Sequence, residues 1–321
     1  MWRVLRARFA FRLVCTGTAP SDRVPAVKGR PVVARGVSRF ALESVSRSGT
    51  NLVEAAHGVH ADEADPVEVV HKLRVAIRRL RADLRIFESA FDADWLAAKT
   101  RQLRDLARIV GEVRDLDVIL GRLEELGGAA TMADQPAVAA LVTRLRIDRG
   151  AALRRALAAI GDPNRAAVLK DFAEIAACRP LAPNADQVVI EDLVATTRRQ
   201  WQRLRKSART ADAAPDEENL HRVRVRAKTL RYSLETLAPV LHNSARDHAE
   251  ALITLQDHLG KMQDADVIER WLRVVRETGG HDDFVVGQLV GLERARKDSV
   301  RAQWPAQWKR ASRRRLLRWR A

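Results

Sequence analysis

The sequence predicts an all-α protein made of two tandem four-helix bundles related by a pseudo-two-fold axis. Three observations carry this. Apolar residues recur at spacings of three and four through a chain rich in Ala, Leu and Arg, which favour helix. No long stretch alternates apolar and polar residues as a half-buried strand would. The segment "HKLRVAIRRLR" at 71–81 returns 150 positions later as "HRVRVRAKTLR" at 221–231.

Taken in order, residues 1–36 read as a basic, disordered arm. The opening "MWRVLRARFAFRLVCTGTAP" starts like a signal peptide, but Arg12 cuts its apolar stretch short. The first bundle is expected over 37–180 and the second over 187–319. Breakers divide the chain at "HADEADP" (60–66), "GGAATMADQP" (127–136), "GDP" (161–163), "RPLAPNAD" (179–186), "TADAAPDEE" (210–218) and "GGHDD" (279–283). Pro66 and Pro136 stand where helices can start, with Asp65 and Asp134 as nearby caps. A second matched pair, "LARIVGEVRDLDVIL" (106–120) and "LQDHLGKMQDADVIE" (255–269), sets Gly111 against Gly260, Asp115 against Asp264 and Asp117 against Asp266. A third, looser pair is "RGAALRRAL" (149–157) and "RKDSVRAQW" (296–304). Three segments in one order at a nearly constant offset imply duplication of a unit of four or five helices.

Lys and Arg number 57 against 41 Asp and Glu, a formal charge of +16. Such an excess attracts polyanions: nucleic acid, an anionic membrane surface or a phosphate polymer. Cys15 and Cys178 are too few and too far apart for a disulfide framework or a metal knuckle, which fits a reducing, cytoplasmic setting. No apolar run approaches the roughly 20 residues that span a bilayer, so no membrane span is expected.

On a helical wheel, Arg74, Arg78, Arg81 and Arg85 fall within roughly 80° of His71, while Leu73, Ile77, Leu80 and Leu84 take the opposite sector. The second copy places His221, Arg224, Lys228 and Arg231 on one side and Val223, Ala227, Leu230 and Leu234 on the other. Each stripe is roughly 15 Å long, which suits a string of anionic groups better than one phosphate. A solvated basic face is the ordinary fate of helical arginine. Here, however, like charges stack at three and four spacing without interleaved acids, and they do so twice. Two such stripes facing across a groove would form a polyanion site.

Only His71 and His221, of eight histidines, occupy matched repeat positions. As imidazolium each would add a donor to the groove. Neither has a His or Cys one turn away on its face, and the "HGVH" at 57–60 has no repeat partner, so no metal or other cofactor is expected. Asp115 and Asp117 sit about 200° apart on a wheel, as do Asp264 and Asp266, too far for a chelating or acid/base pair on an unbroken helix. One acid of each pair is expected to orient a stripe arginine across the bundle. No glycine-rich phosphate loop or nucleophile–base arrangement stands out, so the chain reads as a binding protein and not an enzyme.

The paired "HKLRVAIRRLRADLRIF" and "HRVRVRAKTLRYSLETL", each followed by a G-x-x-x-D-x-D-V segment, resemble the CHAD family, the histidine-containing α-helical domain. The resemblance covers about residues 37–319. It implies two four-helix bundles whose basic surface and central pore bind inorganic polyphosphate, and an association with polyphosphate granules. The family's anion-contacting positions fall on His71, Arg74, Arg78, Arg81, His221, Arg224, Lys228 and Arg231, with Arg85 beside them. Arg149, Arg154, Arg296 and Arg301 are weaker candidates because their segments align loosely. Asp115 and Asp264 would act behind the stripes. Glu235, opposite Arg85 in the repeat, would reach a neighbouring arginine. Gln263 stands where the first copy has Arg114, which removes an ion pair there. Two other functions remain open: nonspecific nucleic-acid binding, helped by the tail "WKRASRRRLLRWRA" with Trp308 and Trp319, or a metal-dependent phosphatase using the paired carboxylates.

Overall fold

The computed structural model describes residues 36–58, 66–129, 134–279 and 281–320. The arm expected at 1–36 lies outside them except for Gly36. The described residues hold ten α-helices and no strand, with one isolated bridge, Phe91 to Leu181. The helices are α1 (Val37–His57), α2 (Pro66–Ile86), α3 (Ala93–Ala129), α4 (Gln135–Ile160), α5 (Pro163–Ala173), α6 (Ile175–Cys178), α7 (Ile190–Ala213), α8 (Glu217–Thr236), α9 (Ser244–Thr278) and α10 (Asp283–Ala311).

Local chemistry sets many of the ends. Asp162, Asp216 and Asp282 accept backbone N–H bonds at the starts of α5, α8 and α10. Pro136 sits in the first turn of α4 after Asp134. Gly279 takes φ 69° just after α9, a left-handed conformation open to a residue without Cβ. The turn at 87–92, between α2 and α3, carries no strong breaker in the sequence, whereas the one at 237–243, between α8 and α9, holds Pro239, a signal missing from the breakers named above.

Helices α3 and α9 are the long elements, 37 and 35 residues, each folding back on its successor. The ion pairs Arg146–Glu124, Arg149–Asp117 and Arg155–Glu112 step in opposite directions along α3 and α4, which makes that pair antiparallel. Three cores result. The first joins α1, α2, the first half of α3, the last part of α4, and α5, around Leu52, Ile77, Phe87 and Phe172. The second joins α7, α8, the first half of α9 and the last part of α10, around Trp201, Leu230, Leu252 and Trp304. The third lies between the far halves of the two long hairpins, with Ile119, Leu123 and Leu145 meeting Ile268, Leu272 and Val285. Across it Arg122 Nε donates to Oε1 of the fully buried Glu293 at 2.7 Å. Two separate bundles are therefore an incomplete description, because the hairpins outrun their own bundles and cover each other's apolar ends.

Helices α2 and α8 lie side by side and run the same way, since their contacts rise together in number. Arg79 Nη2 is 3.7 Å from Glu235 Oε2, and Thr236 Oγ1 donates to Asp83 Oδ1 at 2.7 Å. Asp83, 6% exposed, also accepts from Ser48 Oγ of α1 at 2.5 Å, so one carboxyl ties α1, α2 and α8. Burial pushes it up to about 6, against the two hydroxyl donors and the nearby Arg79 and Arg47, which pull it down. A carboxyl raised in the fold stabilises fully below its unfolded value and loses that contribution as pH rises through about 6. Asp83→Asn keeps an acceptor for a hydroxyl without the charge. It should raise stability by about 1–2 kcal/mol more at pH 7.5 than at pH 5 in urea unfolding. Equal destabilisation at both pH values would show that the ionised carboxylate is the stabilising form.

Candidate functional site

Each stripe is set by the apolar face behind it. Leu73, Leu80, Ile77 and Leu84 are 0–2% exposed on α2, and Val223, Ala227, Leu230 and Leu234 are 0% exposed on α8. Burying these faces against their own bundles turns the flanks of α2 and α8 toward one another. Arg74 and Arg78 then face Arg224, Lys228 and Arg231, each set acting electrostatically on the other. The ring of Tyr232, 5% exposed, is shared: the Arg231 guanidinium lies 4.2 Å from its centroid and that of Arg78 5.6 Å. Cation–π attraction thus holds one arginine from each half to a single ring.

The cluster is held apart from carboxylates. Burial pushes the Lys228 ammonium down to about 7, and Arg224, Arg78, Arg74 and Arg231 push in the same direction. Burial likewise lowers Arg224 and Arg74 from their ordinary values, with Asp264 and Asp115 opposing it. Among the described residues, no carboxylate comes within ion-pairing distance of Arg74, Arg78, Arg224 or Lys228, and the Nε atoms of Arg78, Arg224 and Arg231 are buried without a hydrogen-bond partner. A buried donor left unmade costs about 1–3 kcal/mol, more for a charged group. Several together mark a place that an anion would complete.

The G-x-x-x-D segment has a physical reading here. Residues i and i+4 share a helix face, so Gly111 and Asp115 look toward α2, and Gly260 and Asp264 toward α8. A Cβ on Gly111 would lie 3.3 Å from Arg74 Nη1, whereas one on Gly260 would lie 3.8 Å from Arg224 Nη2. The missing side chains let the guanidinium groups lie against α3 and α9. The aspartates one turn on draw them there through space, while burial raises Asp115 and Asp264 themselves. Gly111→Ala should raise helix stability by up to about 1 kcal/mol while displacing Arg74, and Gly260→Ala should stabilise similarly with less disturbance. The check is anion affinity beside thermal midpoint for both variants: only Gly111→Ala should stabilise and weaken binding together.

The other sequence-selected residues divide. His221 is exposed and its Nδ1–H donates to Gln263 Oε1 at 2.6 Å, so the position expected to lose an ion pair holds the histidine instead. His71 is half-buried at the start of its stripe. Arg81 is lowered by burial and by Arg85 and Arg104, which places it with Arg85 on the α3 side of α2, away from the α8 cluster. Glu235 accepts from Arg231 Nη1 at 3.1 Å. Asp117 turns away from Asp115 and takes Arg149 Nε at 2.5 Å, and Asp266 pairs with Arg270 at 3.2 Å.

The weaker arginines need correction. Arg149 is spent on the buried Asp117, and Arg301 is held by Asp298 at 2.6 Å and Glu217 at 3.3 Å, because both project between helices that supply acids. Arg154 is exposed on α4. Arg296, 3.4 Å from Glu293, is the one of these four that acts on the cluster, through Asp264. The tail reading also changes. Trp304 and Trp319 are 1% and 2% exposed, and Trp319 Nε1 donates to the buried His248, so these rings are core and unavailable for stacking on bases. Sequence reasoning passed over Tyr232 and Asp257, and treated Arg114 only as the counterpart of Gln263. Arg114 acts on Arg74 and Asp264, and burial raises Asp257 against the opposing pull of Arg231 and Arg224. The signal for Tyr232 was its place in "RYSLE", next to a stripe arginine.

The CHAD domain family model matches residues 50–273. This chain belongs to the CHAD domain family. The crystal structure of the CHAD domain from the plant Ricinus communis is similar to it with a TM-score of 0.69 at 20% identity, over 86% of this chain and 91% of that one. PptA from Streptomyces chartreusis gives a TM-score of 0.66 at 21% identity, over 85% of this chain and 99% of its own. At such identities the likeness establishes the fold. The uncharacterized proteins Rv2226 and MT2285, from two strains of Mycobacterium tuberculosis, are each 29% identical over 263 residues, 77% of this chain and 48% of theirs. The chain thus spans about half the length of the curated relatives it matches. Among the described residues of this CHAD protein, no helix is long and apolar enough to cross a membrane.

Proposed function

We propose that this CHAD protein binds inorganic polyphosphate, without turning it over, in the cleft where α2 and α8 bring their cations together. The observation that carries the reading is the convergence of Arg74, Arg78, Arg224 and Lys228 with no carboxylate partner among the described residues, beside buried Nε donors that lack an acceptor. Elsewhere the fold neutralises its inward-facing cations, as at Arg149 with Asp117, Arg122 with Glu293 and Lys297 with Glu269. Guanidinium groups donate paired hydrogen bonds to phosphate oxygens, and a polymer offers such oxygens at short, regular intervals along the stripes. A binding role fits the acids as well: Asp115 and Asp264 sit among arginines, which compete with a metal ion for their oxygens. Location at polyphosphate granules in the cytoplasm follows from the same reading.

The test is calorimetric titration with polyphosphates of graded length, in competition with single-stranded DNA at equal phosphate. Polyphosphate should win, because Trp304 and Trp319 are core residues and the half-buried Trp308 is already stacked on Trp201 and Trp304. With four unpaired cations engaged, affinity should fall about fifty-fold between roughly 50 and 200 mM salt. A preference for DNA, or an affinity indifferent to salt, would overturn the assignment.

A further inference from the structure

Lys228 differs from every other lysine described. Lys72, Lys99, Lys170 and Lys297 each lie near a carboxylate, and Lys206, Lys261 and Lys309 are exposed. Lys228 is half-buried, and the charges acting most strongly on it are four arginines: Arg224 and Arg231 on its own helix, Arg74 and Arg78 on α2. The acids around the site, Asp257 and Asp264 on α9 and Asp115 on α3, act on those arginines. The amine makes no hydrogen bond among the described residues, yet it is not sealed from water as the Nε atoms of Arg78, Arg224 and Arg231 are. A nucleophilic nitrogen therefore sits within a ring of phosphate-binding groups.

We propose that Lys228 is a site of acylation by small acyl phosphates, and that its acylation shuts down the anion cluster. This rests on the anion-binding reading of the same cleft. The arginines hold the phosphate of the donor and stabilise it as a leaving group, while the neutral amine attacks the acyl carbon. A C–N bond forms, the C–O bond to phosphate breaks with its electron pair passing to the phosphate oxygen, and the nitrogen loses one proton to solvent. The products are an Nζ-acyl lysine and inorganic phosphate. With a value near 7 before a donor arrives, about half the Lys228 amine is free at pH 7, against about one part in three thousand for an ordinary lysine. The negative charge of a bound donor raises that value and lowers the free share, so the expected advantage is about tenfold and not about a thousandfold. The acyl group removes the positive charge at the centre of the cluster, so the modified protein is the weakly binding form.

The full chain is incubated with acetyl phosphate, and acetylation rates are read per lysine by peptide mass spectrometry. Lys228 should react about tenfold faster than the exposed Lys170 and Lys261 at pH 7.5, despite poorer access. Tripolyphosphate should slow Lys228 about tenfold and leave Lys170 unaffected. With a succinimidyl acetate, which carries no phosphate, the tripolyphosphate-free preference for Lys228 should shrink. Polyphosphate affinity is measured separately on unmodified protein, so the two readings fail independently. Binding present with Lys228 no faster than Lys170 overturns the acylation site alone. Rapid labelling of Lys228 with no measurable polyphosphate binding overturns the polyphosphate assignment and the regulatory part of the proposal, and leaves a reactive lysine.

Discussion

Replacing Arg74 and Arg224 together by glutamine should lower the affinity for long polyphosphate by about two to three orders of magnitude. Each guanidinium lies in the cluster without a carboxylate within ion-pairing distance, so its donors are available to phosphate oxygens. A charge-assisted hydrogen bond to an anion contributes about 1.5–3 kcal/mol, and the two arginines come from opposite walls of the cleft. The folded state should not suffer, because the change removes two cations that repel each other and Lys228. The matched control is Arg149→Gln with Arg301→Gln, an equal loss of formal charge. It should change binding less than about threefold at moderate salt, since both side chains are already engaged by acids and exposed long-range charge is screened. Arg149→Gln should instead cost about 3 kcal/mol of stability by leaving the buried Asp117 without its cation. Calorimetry and chemical unfolding on the two double variants separate the outcomes. Equal losses of affinity in both would mean that net charge, and not this cleft, governs binding.

Polyphosphate binding should take up close to one proton at pH 8.5, and its affinity should weaken as pH rises above 7. Burial and four neighbouring arginines hold Lys228 at about 7. A phosphate chain placed among these groups supplies the missing negative charge and returns the ammonium toward its ordinary value. Between the two values the bound state carries a proton that the free state lacks, so affinity falls by up to about tenfold per pH unit there. The same group shapes stability in the free protein. A lysine depressed in the fold imposes its cost below pH 7, and that cost is relieved as pH rises toward 10.5, where the unfolded chain also loses the proton. Lys228→Met should therefore raise the free energy of unfolding by about 2 kcal/mol at pH 6, a figure kept below that for full burial because the amine reaches water. It should also abolish the proton uptake, read as buffer-independent binding enthalpies at pH 8.5. Undiminished uptake in that variant would assign the proton to another group.

The helical class, the repeat and the stripes were readable because they are periodic, and periodicity is a property of the chain itself. Leu73 and Leu80 sit at core positions of α2, and Val223 and Leu230 do the same on α8, where the wheel put them. The turn at 87–92 was not readable, since it is set by packing of Phe87 and Phe91 into the core and not by a glycine or proline, whereas Pro239 did mark the turn at 237–243 and was passed over. The loosely aligned arginines misled for a similar reason. Arg149 and Arg301 look like free cations in one dimension, and only the packed helices bring Asp117 and Glu217 to them.

By itself the sequence determined which residues share a helix face, which face is apolar, and that two basic stripes exist with a glycine and an aspartate one turn apart behind each. The tertiary structure alone decided that α2 and α8 run alongside each other in one direction, that Arg78 and Arg231 share the ring of Tyr232, and that Lys228 is enclosed by arginines. The physical reason is range. Helical register follows from bonds and contacts within a few residues, whereas the charge a side chain experiences depends on groups some 150 positions away that only long-range burial can bring near.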